Sequence, residues 1–88
     1  MTRDVVLYTT EGCAPCRMVR EFLTKRGVAF VVRDVGHDPE AMQELLARGG
    51  QTVPTVVISD GTVWAMRQGG TFASLRAELA RSGLIPSP

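Results

Sequence analysis

The only two cysteines of the chain stand two residues apart, as Cys13-Ala14-Pro15-Cys16. That spacing lets one helical turn hold both sulfurs close together. The ring a disulfide would close there is too short to restrain much of the unfolded chain, so the pair suits chemistry better than stapling. A thiolate, not a thiol, attacks a disulfide. The free thiol titrates near about 8.5, and a helix N-terminus or nearby cation lowers that to roughly 3.5–7.5. An apolar run precedes Cys13 and an amphipathic run follows it. Its sulfur is therefore expected to face the unpaired N–H groups of a first helical turn. Arg17, one turn on, adds a positive charge. Cys16, one turn inside the helix, is expected to be more buried and less ionised. Cys13 would then attack a substrate disulfide, and Cys16 would attack Cys13 and release the reduced product. Pro15 sits in the first turn, where its missing N–H costs little.

Other uses of such a pair compete with this one. Half of a zinc site is one, but zinc wants four ligands and His37 is the only histidine, which leaves three protein ligands at most. A structural, inert pair is another. A third is an iron–sulfur cluster bridged between two subunits, against which Pro15 stiffens the motif.

Gln51-Thr52-Val53-Pro54-Thr55 is the second chemical signal. A proline at the head of an apolar strand cannot donate to a sheet ladder. A cis Val53-Pro54 bond would make a tight turn and leave the Val53 N–H and C=O unpaired, open to an extended, peptide-like substrate. An ordinary trans-proline turn at a strand edge is the alternative. In company with C-x-x-C in a βαβ pattern the cis form is expected.

The elements that must position these residues follow from the apolar period. Val5-Val6-Leu7-Tyr8 reads as a buried strand. Met18, Val19, Phe22 and Leu23 recur at helical spacing after Cys13, and Gly27 stops that helix. Ala29 to Val35 reads as a second strand. Asp38 is a good N-cap with Pro39 at the first helical position, and Met42, Leu45 and Leu46 give an apolar face that ends at Gly49-Gly50. Pro54 to Ile58 reads as a third strand. Asp60-Gly61 is a two-residue hairpin signal, with Thr62 to Met66 as the antiparallel partner. Phe72, Leu75 and Leu79 mark a last helix capped by Thr71, and Leu84 to Pro88 form a short tail. The order β-α-β-α-β-β-α predicts an α/β fold: one mixed four-stranded sheet flanked by three helices, the first two strands parallel through a right-handed crossover.

Eighty-eight residues allow one domain, 1–88, with a core of about 3–82. Apolar residues make up 44%, which excludes disordered and fibrous classes, and a net charge of +1 gives no case for nucleic acid or membrane binding. Met1-Thr2-Arg3-Asp4 leads into the first strand without a leader pattern. A cytoplasmic monomer is expected, in a compartment where a cysteine pair is usually catalytic, redox-sensing or metal-binding.

C-x-x-C after a strand, Thr-Val-Pro before the third strand and Gly69-Gly70 before the last helix together resemble the glutaredoxin family, within the thioredoxin fold. The likeness covers about residues 3 to 82. Tyr8-Thr9-Thr10, the stretch from Gly49 to Val57, and Asp60-Gly61 look most like mycoredoxins and other short bacterial glutaredoxin-like redoxins. The resemblance implies a thiol–disulfide oxidoreductase that acts on protein disulfides or protein–small-thiol mixed disulfides. Cys13 would be its nucleophile, Cys16 its resolving thiol and Pro54 its cis-proline. It also implies Thr52 and Val53 as a thiol-substrate clamp, with Gly70 and Thr71 meeting a substrate carboxylate at the helix N-terminus, where anions are favoured.

Glutathione-using members often carry Lys three residues before the first cysteine and Arg just before Thr-Val-Pro; here those places hold Thr10 and Gln51. Each lost contact to the glycine carboxylate is worth about 1.5–3 kcal/mol, and Arg17 could replace one. A thiol without that carboxylate, such as mycothiol, or a protein donor would not miss them. No bound cofactor or metal is needed. Glutathione, mycothiol, another low-molecular-weight thiol, or a thioredoxin reductase would supply electrons. The rivals are a hydrogen-donor redoxin for ribonucleotide reductase fed by thioredoxin reductase, a cluster-bridging module, and a redox sensor without turnover.

Among the remaining residues, Arg17, Arg20, Lys25, Arg26 and Arg33 bias the first helix and second strand toward positive charge; a solvated face is the ordinary role of such charges. Trp64 is expected to be buried against the last helix, His37 to lie on the surface without a function, and Met18, Met42 and Phe72 to belong to the core. Glu11, beside the cysteines, would oppose thiolate formation or relay protons.

Overall fold

The computed structural model describes residues 4–86. The expectation of no leader at Met1-Thr2-Arg3, with Arg3 at the edge of the expected core, and the end of the tail at Ser87 and Pro88 fall on residues outside them. Four strands and three helices follow the expected order: β1 (Val5–Thr9), α1 (Ala14–Lys25), β2 (Val31–Asp34), α2 (Pro39–Ala47), β3 (Thr55–Ile58), β4 (Val63–Ala65) and α3 (Phe72–Arg81), with a short 3-10 turn, Met66–Gln68, between β4 and α3. The strands lie in the order β2-β1-β3-β4. β1 runs parallel to β2 and antiparallel to β3, and β4 runs antiparallel to β3. No helix among the described residues is long and apolar enough to cross a membrane.

Alternation along the strands divides the core into two layers. Val5 and Leu7 of β1 and Val56 and Ile58 of β3 face α1 and α3, where they pack with Val19, Leu23, Leu75 and Leu79. Tyr8 and Val57 point to the opposite face and pack on Leu45 of α2. β3 is buried along its whole length because helices cover both of its sides. Each fully buried Leu or Val contributes about 1.5–3 kcal/mol, so this central pair of strands fixes the fold.

α2 buries only the narrow stripe Ala41 and Leu45. Met42 and Leu46, expected on its apolar face, are 38% and 56% exposed. They sit about 100° around the helix from the buried stripe, and a single nine-residue helix on a sheet buries little more than one line of side chains. Met18 is corrected for the same reason. It is 54% exposed, while Cys16, Val19 and Leu23 form the buried line of α1. Phe72 is half-buried at the margin of the core, stacked on Phe22 with ring centroids 5.0 Å apart. β2 is shorter than the expected 29–35 and half-buried throughout, as suits an edge strand. β4 ends at Ala65 rather than Met66, because the chain there turns into the 3-10 segment.

Polar contacts complete both ends of the sheet. The buried Tyr8 hydroxyl donates to Glu44 Oε1 at 2.8 Å. Arg33 bonds the other Glu44 oxygen at 2.9 Å and Asp38 at 3.3 Å. This network ties β1, β2 and the N-cap of α2 together. At the hairpin, Asp60 Oδ1 accepts from the Thr62 N–H at 2.9 Å, and Asp60 Oδ2 accepts from the Ser82 hydroxyl at 2.8 Å. Gly70 lets the chain pass close over β4. A Cβ there would stand 2.6 Å from the Ala65 carbonyl and 2.7 Å from the Trp64 ring. Trp64 is 4% exposed, and its indole N–H reaches Ser74 Oγ at 2.9 Å and the Thr71 carbonyl at 3.1 Å, so it is buried against α3.

Two predictions follow from these networks. Burial, and then the hydrogen bond to Glu44, push the Tyr8 hydroxyl up to about 12. Tyr8 is the sole tyrosine, so tyrosinate absorbance in the native protein should rise with a midpoint near 12 and drop toward about 10 in denaturant. The Tyr8 contribution to stability is fully present below pH 10 and is lost as pH rises through the folded value. Tyr8→Phe should lower stability at pH 7 by about 1 kcal/mol in urea titration; an unchanged midpoint would remove the network from the account. Hydrogen bonds from the Thr62 side chain and N–H, then from the Ser82 hydroxyl, hold the Asp60 carboxyl down at about 2. Its contribution is present above about pH 4 and fades as pH falls through 2. The stability gap between wild type and Asp60→Asn should therefore close across that interval.

Candidate active site

β1 ends at Thr9, and Gly12 at φ +78° makes the left-handed step that L side chains resist. Cys13 follows in extended backbone (φ −89°, ψ 103°) as the N-cap of α1. Its sulfur accepts the backbone N–H of Cys16 at 3.1 Å, in the place usually taken by a Ser, Thr or Asp oxygen. Ala14 and Pro15 open the helix, and Cys16 is joined to Cys13 in a disulfide. The two sulfurs differ in access: Cys13 is partly exposed, whereas Cys16 is 3% exposed in the buried line of α1. A donor N–H is thus aimed at the outer sulfur, which sits at the positive end of the helix.

The register of the sheet brings the second motif to the same place. Tyr8 pairs with Thr55, so the end of β1 lies beside the start of β3. The loop before β3 therefore meets the cysteine turn. Cys13, Gln51, Thr52 and Val53 share a groove of about 750 Å³ whose apolar wall includes Pro15, Leu45 and Met42. The Val53–Pro54 bond is cis, and Pro54 is buried. Neither the N–H nor the C=O of Val53 takes a backbone partner among the described residues. The Thr52 carbonyl is bonded by the Thr55 hydroxyl at 2.6 Å, but the Thr52 hydroxyl is buried with no partner among the described residues.

The other expected site residues fall elsewhere. Arg17 lines a separate, smaller recess of about 330 Å³ that also reaches Cys13, together with Cys16, Arg20 and Asp34. Gly70 and Thr71 line neither space. The Gly70 N–H is bonded to the Ala65 carbonyl at 3.0 Å, and the Thr71 N–H to Ser74 Oγ at 2.9 Å within the capping box of α3. His37 is exposed and lies between two acids, with Nε2 3.2 Å from Glu11 and Nδ1 2.9 Å from Asp34. The hydrogen bond to Asp34, and then the charges of Asp34 and Glu11, raise the His37 pKa, while His37 lowers that of Asp34. Glu11 thus enters the groove wall already paired. Arg67, which sequence reasoning passed over, lines the groove from the 3-10 turn. Its only sequence signal is a basic residue just before Gly69-Gly70.

A family model described as Glutaredoxin matches residues 5–64. The glutaredoxin-like protein NrdH of Escherichia coli (strain K12) is 30% identical over 56 residues, which cover 64% of this chain and 69% of that protein. Among solved structures, the thioredoxin-like protein BC3987 is 38% identical with a TM-score of 0.73, covering 83% of this chain and 96% of that one. The structure of the NrdH-redoxin from Escherichia coli is 26% identical with a TM-score of 0.70, covering 96% and 97%. A vicinal cysteine pair at a helix N-terminus, a proline loop across a groove and a β-α-β-α-β-β-α sheet thus occur together with the family's sequence pattern, and the chain belongs to the glutaredoxin family of thioredoxin-fold thiol–disulfide oxidoreductases.

Proposed function

We propose that Cys13 is the attacking sulfur and Cys16 the resolving one in a dithiol cycle that reduces protein disulfides, or mixed disulfides between a protein and a small thiol. The observation that carries this reading is the asymmetry of the pair: one sulfur caps α1 on the wall of a groove, and the other lies 3% exposed behind it. The Cys13 thiolate bonds to one substrate sulfur and expels the other as a thiolate. Cys16 gives up its proton to solvent, attacks Cys13, and expels the second substrate thiolate. Two electrons pass to the substrate, and the chain is left in the disulfide form. The cycle calls for no resident cofactor; it calls for a donor that returns two electrons.

The groove supports substrate alignment. The free N–H and C=O of Val53 suit an extended segment laid alongside as one more strand. The Thr52 hydroxyl would gain a partner there, and the clamp expected of Thr52 and Val53 rests on these groups. Arg17 would act on the sulfurs from the smaller recess by charge alone. A free dithiol of this kind suits a reducing, cytoplasmic setting. For the donor, a low-molecular-weight thiol is the first reading. A hydrogen-donor redoxin fed by thioredoxin reductase is the second, favoured by Thr10 and Gln51 in place of cations and by the likeness to NrdH proteins.

Two experiments test the proposal. Cys16→Ser should accumulate a mixed disulfide through Cys13, visible by intact mass, and Cys13→Ser should show no turnover. Trapping through Cys16 in the latter would reverse the roles. Oxidised wild-type protein should be reduced in at least one of three coupled NADPH assays: glutathione with its reductase, mycothiol with its reductase, or thioredoxin reductase. The fastest of the three identifies the donor class, and silence in all three rejects the cycle.

A further inference from the structure

The groove carries a cation that no acid among the described residues pairs with. Arg67 lines it together with Cys13, Thr52 and Val53. Glu11, the acid on the same wall, is held by His37 at 3.2 Å. The ion pairs among the described residues join Arg33 to Asp38 and Glu44, His37 to Glu11 and Asp34, and Arg81 to Glu78; none involves Arg67. Arg67 is exposed, and among the described residues it is the one Lys or Arg that shares this groove with the outer sulfur. The Thr52 hydroxyl, on a residue that also lines the groove, is buried without a partner among the described residues. Meanwhile the N–H groups of Gly70 and Thr71 are bonded within the protein. Neither residue lines this groove, so the cation beside Cys13 comes from the 3-10 turn.

Resting on the dithiol cycle proposed above, we infer that Arg67 is a specificity residue that selects disulfides carrying a carboxylate near the attacked sulfur. A guanidinium recognises a carboxylate through paired N–H donors, which adds orientation to charge. The contact is exposed and screened by salt, so it tunes rate rather than deciding activity. Position 67 is reached only because β4 stops at Ala65 and Met66–Gln68 winds into a turn ending at Gly69, which has φ +93°.

Three small symmetric disulfides that differ in charge isolate the effect: 3,3′-dithiodipropionate (anionic), bis(2-hydroxyethyl) disulfide (neutral) and cystamine (cationic). In each reaction the reduced protein gives two electrons and two protons to one disulfide and yields two small thiols, with no further oxidant. The measured quantity is the second-order rate of protein oxidation for wild type, Arg67→Gln and Arg67→Lys. Arg67→Gln should slow the anionic reaction by about three- to tenfold, leave the neutral one within about twofold and speed the cationic one. Arg67→Lys should restore most of the anionic rate, and added salt should slow only the anionic reaction in wild type. Equal changes for all three disulfides, or no change for any, would overturn the role of Arg67 while leaving the dithiol cycle intact. Failure of wild type to react with the neutral disulfide would reject the cycle, and the inference with it.

Discussion

One pairing register governs this molecule. Tyr8 lies opposite Thr55, Thr55 opposite Ala65, and Thr9 beside Asp34. With β1 parallel to β2 and antiparallel to β3, those pairs gather at one end of the sheet four connections far apart in sequence: the cysteine turn, the loop before α2, the proline loop and the 3-10 turn. A slip of one residue would turn each strand's buried side chains to the wrong face, so the packing of Val5, Leu7, Val56 and Ile58 against α1 and α3 holds that register. The active-site geometry is thus a by-product of core packing on the other side of the same strands.

Within that frame, rigidity and reactivity are assigned to different groups. Tyr8 is fixed beneath α2 through Glu44, and Glu44 through Arg33, so the strand that leads to the cysteines is held on both faces. The groups at the groove are left less satisfied. The Thr52 hydroxyl has no partner among the described residues, and the Val53 amide and carbonyl have no backbone partner among them. A buried, unbonded hydroxyl costs about 1–3 kcal/mol. A fold tolerates that where a bound molecule supplies the missing bond, and here the unbonded groups lie on the same wall as the outer sulfur.

Much of this was legible from residue types. The order of elements, the N-caps at Asp38 and Thr71, the hairpin at Asp60-Gly61 and the burial of Trp64 follow from local patterns with short-range causes. What escaped was set by tertiary context. Met18, Met42 and Leu46 are apolar at helical spacing, yet whether such residues are covered depends on how wide a stripe the sheet can receive, which spacing does not encode. The 3-10 turn after β4 has no proline or capping pair before it, so nothing in the sequence singled out Arg67. Gly70 and Thr71 had the right types for an anion site, but their N–H groups are bonded to Ala65 and Ser74, partners that only the folded chain reveals.

The two ends of the sheet also separate what stabilises from what reacts. Asp60, Thr62 and Ser82 join the β3–β4 hairpin to the end of α3, at the opposite pole from the sulfurs. Glu11, Asp34 and His37 form the polar cluster at the reactive pole, and there the charges are exposed and mutually paired. Among the cations near the sulfurs, Arg17 and Arg20 lie on the α1 side and Arg67 on the groove side. In the proposed cycle the α1-side pair would act on the sulfurs by charge from the smaller recess, whereas Arg67 would meet a substrate laid along Val53. On that reading, charge that prepares the nucleophile and charge that sorts substrates would be carried by different elements, α1 and the 3-10 turn.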